Sequence, residues 1–416
     1  MVSRECGEKV VKVLILSMNY APEQIGIGPC STGWAEHLAH AGHRVTVVTA
    51  QPYYPDWRIA AGHRNRWRRT VENGVKVVRC PHYVPRQPTG MRRVLHQVSF
   101  ALAAMWPMLA RAIVRRPDLV VAVAPSLIAA PVARFAAVLA GAKSWLHVQD
   151  FELEVALSTG LLAEGGLLNV ASRLERTMLA SFDITSTISP QMCRKLVAKG
   201  VPEGQIRELR NWADIDAIRP LDQPSPLRDE WQISASHVAL YSGNIANKQG
   251  IDLVLDAARI LRGRGDIQFV ICGNGPDRAR LEASAADLPN VCFRDLQPRE
   301  RLADLLGLAS VHLLPQIAGV ADLVLPSKLA NMFASGRPVV ATADPGTGIA
   351  DEVSGAGVAV PPGDAVAFAD AIASLLRDPQ RRARLGQAAR IKAERNWART
   401  AILQRCDHEM RQLVFK

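Results

Sequence analysis

Leu325-Pro326-Ser327-Lys328-Leu329-Ala330-Asn331-Met332-Phe333-Ala334-Ser335-Gly336-Arg337-Pro338-Val339-Val340-Ala341-Thr342 reads as a loop, a helix and a strand in succession. Pro326 fixes its own φ and Ser327 can cap free N–H groups, so both suit a helix start. Leu329, Met332 and Phe333 recur at helical spacing, and Gly336 stands where a helix stops. Pro338 to Thr342 is then a short apolar run expected to be a buried strand. A helix beginning there turns unpaired N–H groups outward, and Lys328 adds a cation within its first turn. Phosphate is the natural guest of such a start. A capped helix with a solvated lysine would give the same pattern.

The alternation extends in both directions. Val10 to Met18 is β-rich, and Asn19 to Gly28 is the turn after it. Trp34, Leu38 and Ala41 follow as a helical stripe closed by Gly42, and Arg44 to Thr49 is a second strand. That order opens a doubly wound sheet. Gly26 and Gly28 would let the backbone approach a ligand closely, although a plain tight turn also explains them. Further strands are expected at Asp118 to Ala124, Lys143 to Val148, Ile184 to Ile188 and Gln205 to Leu209, with a helix at 127–139. Asp150, Glu152 and Glu154 follow the Lys143–Val148 run, at the strand end where ligands bind in such sheets.

Pro220, Pro224 and Pro226 mark a linker, after which the plan repeats. Strands are expected at Val238 to Ser242, Ile267 to Cys272, Val291 to Arg294, Val311 to Leu314, Pro338 to Thr342 and Val358 to Val360. Gly243-Asn244, Lys248 and Gly273-Asn274-Gly275 stand in the turns of this half. The expected division is a first Rossmann-like domain at 1–212, a linker at 213–235 and a second domain at 236–395. Residues 396–416 would form a C-terminal helix. Ile402, Cys406, Met410 and Leu413 share one face of it, which should pack back on the first domain.

The chain has 416 residues, enough for two or three domains with full cores. Its net charge of +11 favours anionic partners: phosphates, nucleic acid or an acidic membrane face. Arg and Lys are dispersed and no nucleic-acid module is recognisable, so nucleic acid ranks last. The seven cysteines form no C-x-x-C pair, which argues against a disulfide framework or zinc site and for a reducing compartment. The charged start is unlike a secretory signal.

Val94 to Ala110 carries no formal charge and is flanked by Arg92, Arg93, Arg111, Arg115 and Arg116. It is shorter than the roughly 20 apolar residues a membrane span needs. Leu95, Val98, Leu102, Trp106, Leu109 and Ile113 share one helical face, and Ala101, Ala104 and Met108 make the other apolar too. Such a helix is buried or lies in a membrane interface, and the sequence leaves both open. The aromatic loop Pro52-Tyr53-Tyr54-Pro55-Asp56-Trp57 runs into Arg58, His63, Arg64, Arg66, Arg68 and Arg69. That stretch is either a solvated loop or a rim for an anionic acceptor or lipid headgroups.

Taken together, these stretches resemble family 4 retaining glycosyltransferases of the GT-B architecture, in the branch serving colanic acid and related exopolysaccharides. The matching segments are Asn19-Tyr20-Ala21-Pro22-Glu23 with Gly26-Ile27-Gly28, Pro52-Tyr53-Tyr54-Pro55, and His147-Val148-Gln149-Asp150-Phe151-Glu152. Ser242-Gly243-Asn244 with Lys248-Gln249-Gly250, and Leu325-Pro326-Ser327-Lys328, complete them. The resemblance implies two Rossmann-like doubly wound domains facing across a cleft. It also implies transfer of a sugar, with retention, from a nucleoside diphosphate to an acceptor hydroxyl, with no cofactor and no metal. Lys248 and Lys328 would clamp the diphosphate, and Asp150 would contact the reacting sugar or the acceptor. Gly26, Gly28, Gly243, Asn244, Gly275, Ser327 and Asn331 would bind the donor, and His147, Gln149 and Glu154 the acceptor side.

Four positions depart from the family pattern. Asn244 replaces the usual arginine of its turn. Asn331 and Leu323 replace the two glutamates of E-x7-E, and Gln149 stands where many relatives have His or Arg. The implied acceptor is a polyprenyl-linked saccharide, and the implied location is the cytoplasm, peripheral on the inner face of the cytoplasmic membrane. A sugar-nucleotide epimerase of similar fold and a non-catalytic nucleotide-sugar-binding scaffold are the alternatives.

Overall fold

The computed structural model describes residues 9–24, 26–87, 89–151, 166–246, 249–317 and 327–416, with the backbone alone for 166–170 and Ser327. Runs of β-branched and aliphatic residues without alternation become strands covered on both faces, as parallel sheets require. In the first sheet these are β1 (Lys12–Ser17), β2 (Arg44–Ala50), β3 (Arg68–Glu72), β4 (Val75–Cys80), β5 (Leu119–Ala124), β6 (Lys143–Val148), β7 (Ile184–Thr187) and β8 (Ile206–Glu208). Their spatial order is β3-β4-β2-β1-β5-β6-β7-β8. The pairings are parallel, apart from the antiparallel β3–β4 hairpin. The hairpin is an addition to the expected elements, and it places Arg68 and Arg69 of the presumed basic loop in an edge strand.

The second sheet holds β9 (His237–Ser242), β10 (Ile267–Cys272), β11 (Val291–Arg294), β12 (Val311–Leu314), β13 (Val339–Thr342) and β14 (Gly357–Val360). It is ordered β11-β10-β9-β12-β13-β14 and is parallel throughout. In both sheets the first strand of the unit lies inside, and the winding reverses beside it: between β1 and β5, and between β9 and β12. That reversal opens a crevice at the carboxyl ends of the strands.

The chain divides into two compact units, Met1–Leu209 with Leu403–Lys416, and Arg210–Ile402. The second is filled by Tyr241, Phe269, Phe368 and Ile372 on one side of its sheet, and by Leu329, Phe333, Val339 and Trp397 on the other. The end of the Arg399–Phe415 helix belongs to the first unit, with Cys406 and Met410 buried. Val11 N–H donates to His43 Nδ1 (3.1 Å), which leaves the ring proton on Nε2 to donate to Asp407 Oδ1 (2.8 Å).

The Gly90–Arg115 helix resolves the choice left open for Val94 to Ala110 in an unexpected sense. Its small-residue side, with Ala101, Ala104 and Met108, is buried, whereas Leu102 and Trp106 are 62% and 76% exposed. Alanines permit close approach to the sheet, and the bulky stripe is turned away from it.

Candidate nucleotide-sugar site

In the second unit the candidate residues gather at the reversal between β9 and β12. Beyond β9, Gly243 has φ +142° and its N–H donates to Cys272 O (3.0 Å). Beyond β10, a Cβ on Gly273 would lie 1.8 Å from Gly243 O, and one on Gly275 would lie 2.0 Å from Ile245 O. The two glycine turns therefore pack backbone on backbone. The neighbouring turn by itself therefore demands glycine at 275, the position expected to bind the donor. On the other side of the crevice, Gln316 N–H donates to Thr342 Oγ1 (2.6 Å), and Thr342 Oγ1 donates to Gln316 O (2.9 Å). The ends of β12 and β13 are thereby tied together.

The Ser327–Ala334 helix starts above this frame, with Leu329, Met332 and Phe333 buried. Lys328, in its first turn, crosses Gly243: a Cβ there would be 3.6 Å from Lys328 Nζ. Nζ donates to Gln249 Oε1 (3.0 Å) and Tyr241 OH (3.4 Å) and lies 4.6 Å from the Tyr241 ring centroid. The Tyr241 hydroxyl spends its proton on Asn244 O (2.6 Å), so it can only accept from the lysine. Burial lowers the Lys328 ammonium to a pKa of about 8. Among the described residues no carboxylate pairs with it. A cation at the positive end of a helix is itself unfavourable, so dipole and desolvation together hold Lys328 ready for an anion.

Asn244 is exposed beside this lysine, and Asn331 is half-buried one turn into the same helix. Tyr241 and Gln249, which position Lys328, escaped the sequence reading; a tyrosine in the last turn-ward positions of an otherwise aliphatic strand was the one available signal. Lys248 and Glu154 lie outside the described residues, as does Leu323. The chain's D-x-D, Asp214-Ile215-Asp216, is spent locally: Asp214 Oδ1 accepts from Ala217 N–H (3.2 Å), and Asp216 pairs with Arg219 (3.3 Å).

In the first unit, Gly26 is exposed with φ +71°, where a side chain would be strained. Gly28 is buried, and its missing Cβ makes room for Glu23 at 3.0 Å. Glu23 anchors the aromatic loop: Oε1 accepts the N–H groups of Tyr53 and Tyr54 (both 3.0 Å), and Oε2 accepts from Asn19 (2.8 Å). Burial pushes its pKa up against those hydrogen bonds.

Asp150 stands half-buried just past β6. His147 does not join it as an acceptor contact. Gln149 Nε2 donates to His147 Nε2 (2.8 Å), which leaves the proton on Nδ1 to donate to Ser186 Oγ (2.8 Å). With Trp34 edge-on to its ring and its pKa driven to about 3 by burial, His147 is a neutral core residue. Gln149 is buried with it.

Comparison with known proteins decides what this frame belongs to. The family model for glycosyl transferases group 1 matches residues 227–392, and that for the glycosyl transferase 4-like domain matches residues 26–212. A glycosyl transferase of Escherichia coli named for colanic acid biosynthesis, WcaI, is 37% identical over 96% of this chain and 100% of that protein. The chain is a glycosyltransferase of this family. Its fold agrees: sucrose-phosphate synthase from Thermosynechococcus elongatus matches with a TM-score of 0.71 at 19% identity, over 97% of this chain and 99% of that one. Anabaena HepE in complex with UDP matches with a TM-score of 0.69 at 16% identity, over 96% and 99% of the two chains. These likenesses place the transferase in the two-Rossmann GT-B architecture.

Proposed function

We propose that this glycosyltransferase moves a sugar from a nucleoside-diphosphate sugar to a hydroxyl of a polyprenyl-linked saccharide during exopolysaccharide assembly of the colanic acid type. The carrying observation is Lys328: a desolvated ammonium without a carboxylate partner among the described residues, lying over the Gly243 turn at a helix start. In the reaction the bond from the anomeric carbon to the diphosphate oxygen breaks, and the diphosphate leaves with the electron pair. The acceptor oxygen bonds to that carbon and gives up its proton to the departing diphosphate oxygen. Charge grows on the diphosphate as the bond breaks, so Lys328 and the helix N–H groups stabilise the transition state more than the ground state.

Lys248 would add a second cation, Asn244 and Asn331 polar contacts to the nucleotide side, and Asp150 a contact to the reacting sugar or the acceptor. Retention, independence of a metal, and a cytoplasmic location at the inner face of the membrane complete the reading. It is supported by the family, by a relative named for colanic acid biosynthesis and by a related fold seen with UDP.

Thermal-shift measurements across uridine and guanosine diphosphate sugars test the donor. A bound donor raises the melting temperature by mass action, and Lys328→Ala should abolish the rise. Equal shifts in wild type and variant would remove Lys328 from the site. Incubation of the responding donor without acceptor should leave it intact; formation of an isomeric sugar nucleotide would show an epimerase instead.

A further inference from the structure

Among the described residues, twelve of the twenty-five exposed large apolar side chains lie between Met91 and Leu139, on the Gly90–Arg115 helix and the adjoining segment through Ala130–Ala140. Leu95, Leu102, Trp106 and Ile113 stand at i, i+7, i+11 and i+18, which aligns them in one stripe. They are 52, 62, 76 and 60% exposed, while Phe100, Ala104 and Met108 on the opposite side are fully buried. The Ala130–Ala140 helix packs beside the longer one and adds Phe135 and Val138, 57 and 60% exposed. A soluble surface rarely carries so much contiguous apolar area without a partner.

The segment that forms this face is strongly cationic. Between Glu72 and Asp150 the sole carboxylate is Asp118, and its Oδ2 is taken by Lys12 N–H (2.7 Å). Arg92 and Arg93 open the long helix, and Arg115 and Arg116 close it. The edge strand β3 presents Arg68 and Arg69. The helix starts at the carboxyl edge of the sheet, where His96 packs on Tyr53 (4.6 Å) and Arg93 stands over Trp57 (5.7 Å). Its first turns thus touch the aromatic loop that Glu23 anchors.

We propose that the Gly90–Arg115 and Ala130–Ala140 helices together form a face that lies in an anionic membrane, with the apolar stripe at the acyl boundary and the arginines on lipid phosphates. The purpose of this face rests on the lipid-linked acceptor proposed above; its evidence does not. The longer helix has the length and composition to cross a membrane. Crossing would strip Phe100, Ala104 and Met108 from the sheet, whereas lying flat keeps them packed. A second copy docked through the same face would bring two arginine-rich segments together. An anionic bilayer satisfies both the apolar stripe and its cationic rim.

Co-sedimentation of the full chain with phosphatidylcholine vesicles, with and without phosphatidylglycerol, tests this. Binding is expected on the anionic vesicles, weakened by salt, and lowered about tenfold or more by Trp106→Glu and separately by Phe135→Glu. All these side chains are exposed, so unchanged melting temperatures should show that the variants fold. The double substitution Arg92→Ala/Arg93→Ala should reduce the preference for anionic vesicles. Wild-type binding by Trp106→Glu, indifference to phosphatidylglycerol, or a dimer that Trp106→Glu dissolves would each overturn the proposal, the last in favour of a protein interface. Transfer to a water-soluble acceptor saccharide separates the two readings. Vesicle binding without any transfer sinks the reaction alone, and transfer without vesicle binding sinks the docking face alone.

Discussion

Lys328 illustrates how a side chain can be held in readiness. Its burial lowers the pKa from 10.5 to about 8, so the free enzyme keeps the ammonium below that pH and loses it above. For donor capture, which uses the charged form, kcat/KM should fall as pH rises through about 8, since that ratio reports the free enzyme. Lys328→Ala should lower kcat/KM by at least about tenfold and abolish that limb of the profile. A variant that keeps the same alkaline fall would assign it to another group. Lys248→Ala is expected to cost as much. Gln249→Leu, which removes the acceptor at 3.0 Å from Nζ, should raise the donor KM with a smaller change in kcat. The lysine was legible because helix starts and cations announce phosphate in any sequence. Tyr241 and Gln249 were not, since their role arises only when a strand end and a loop, 79 to 87 residues away in the chain, meet it. His147 misled for the opposite reason: a histidine beside a strand end looks like a ligand until both its nitrogens are seen to be spent.

The paired glycine turns and the long apolar helix show what a pattern of residues conveys about an element and what it hides. Gly275→Ala would drive a methyl group toward Ile245 O, 2.0 Å away, and should destabilise the protein by about 1–3 kcal/mol, measured as a drop in denaturant midpoint. The donor-induced thermal shift should weaken with it, because the Gly243 turn beneath Lys328 would have to move. Strand positions were readable from unbroken aliphatic runs, and β6, β10, β11 and β12 follow their expected bounds. The β3–β4 hairpin was not, because Arg68-Arg69-Thr70-Val71-Glu72 pairs on one edge only and carries charge where a central strand carries valine. The Gly90–Arg115 helix was visible in its uncharged middle, 94–110, but its charged first and last turns were not assigned to it, and periodicity cannot tell which apolar side meets the sheet. Ala104→Leu should overpack the buried side and cost about 1–3 kcal/mol. Leu102→Ser on the outer stripe should leave stability within about 0.5 kcal/mol. Reversed effects of these two substitutions would mean that the helix packs the other way round.

Across the whole chain, the two Rossmann-like units share a vulnerability that follows from their tight cores. His82 and His147 in the first unit, and His312 in the second, are buried where desolvation holds each ring neutral and its pKa near about 3. In the unfolded chain they titrate near about 6.5. Between those values the unfolded state takes up protons that the native state refuses, so stability is intact above about pH 6.5 and falls as pH drops below it. Each histidine contributes a slope of up to about 1.4 kcal/mol per pH unit over that window. Urea midpoints should therefore decline steadily from pH 6.5 to 4.5. His82→Phe, a ring of similar size packed between Tyr53 and His96, should flatten part of the decline. The effect should appear in the unfolding of the first unit, which contains His82, and leave the acid response of the second to His312. A variant with the wild-type slope would show that His82 takes up its proton in the native state, and that its surroundings open to water more readily than the packed rings imply.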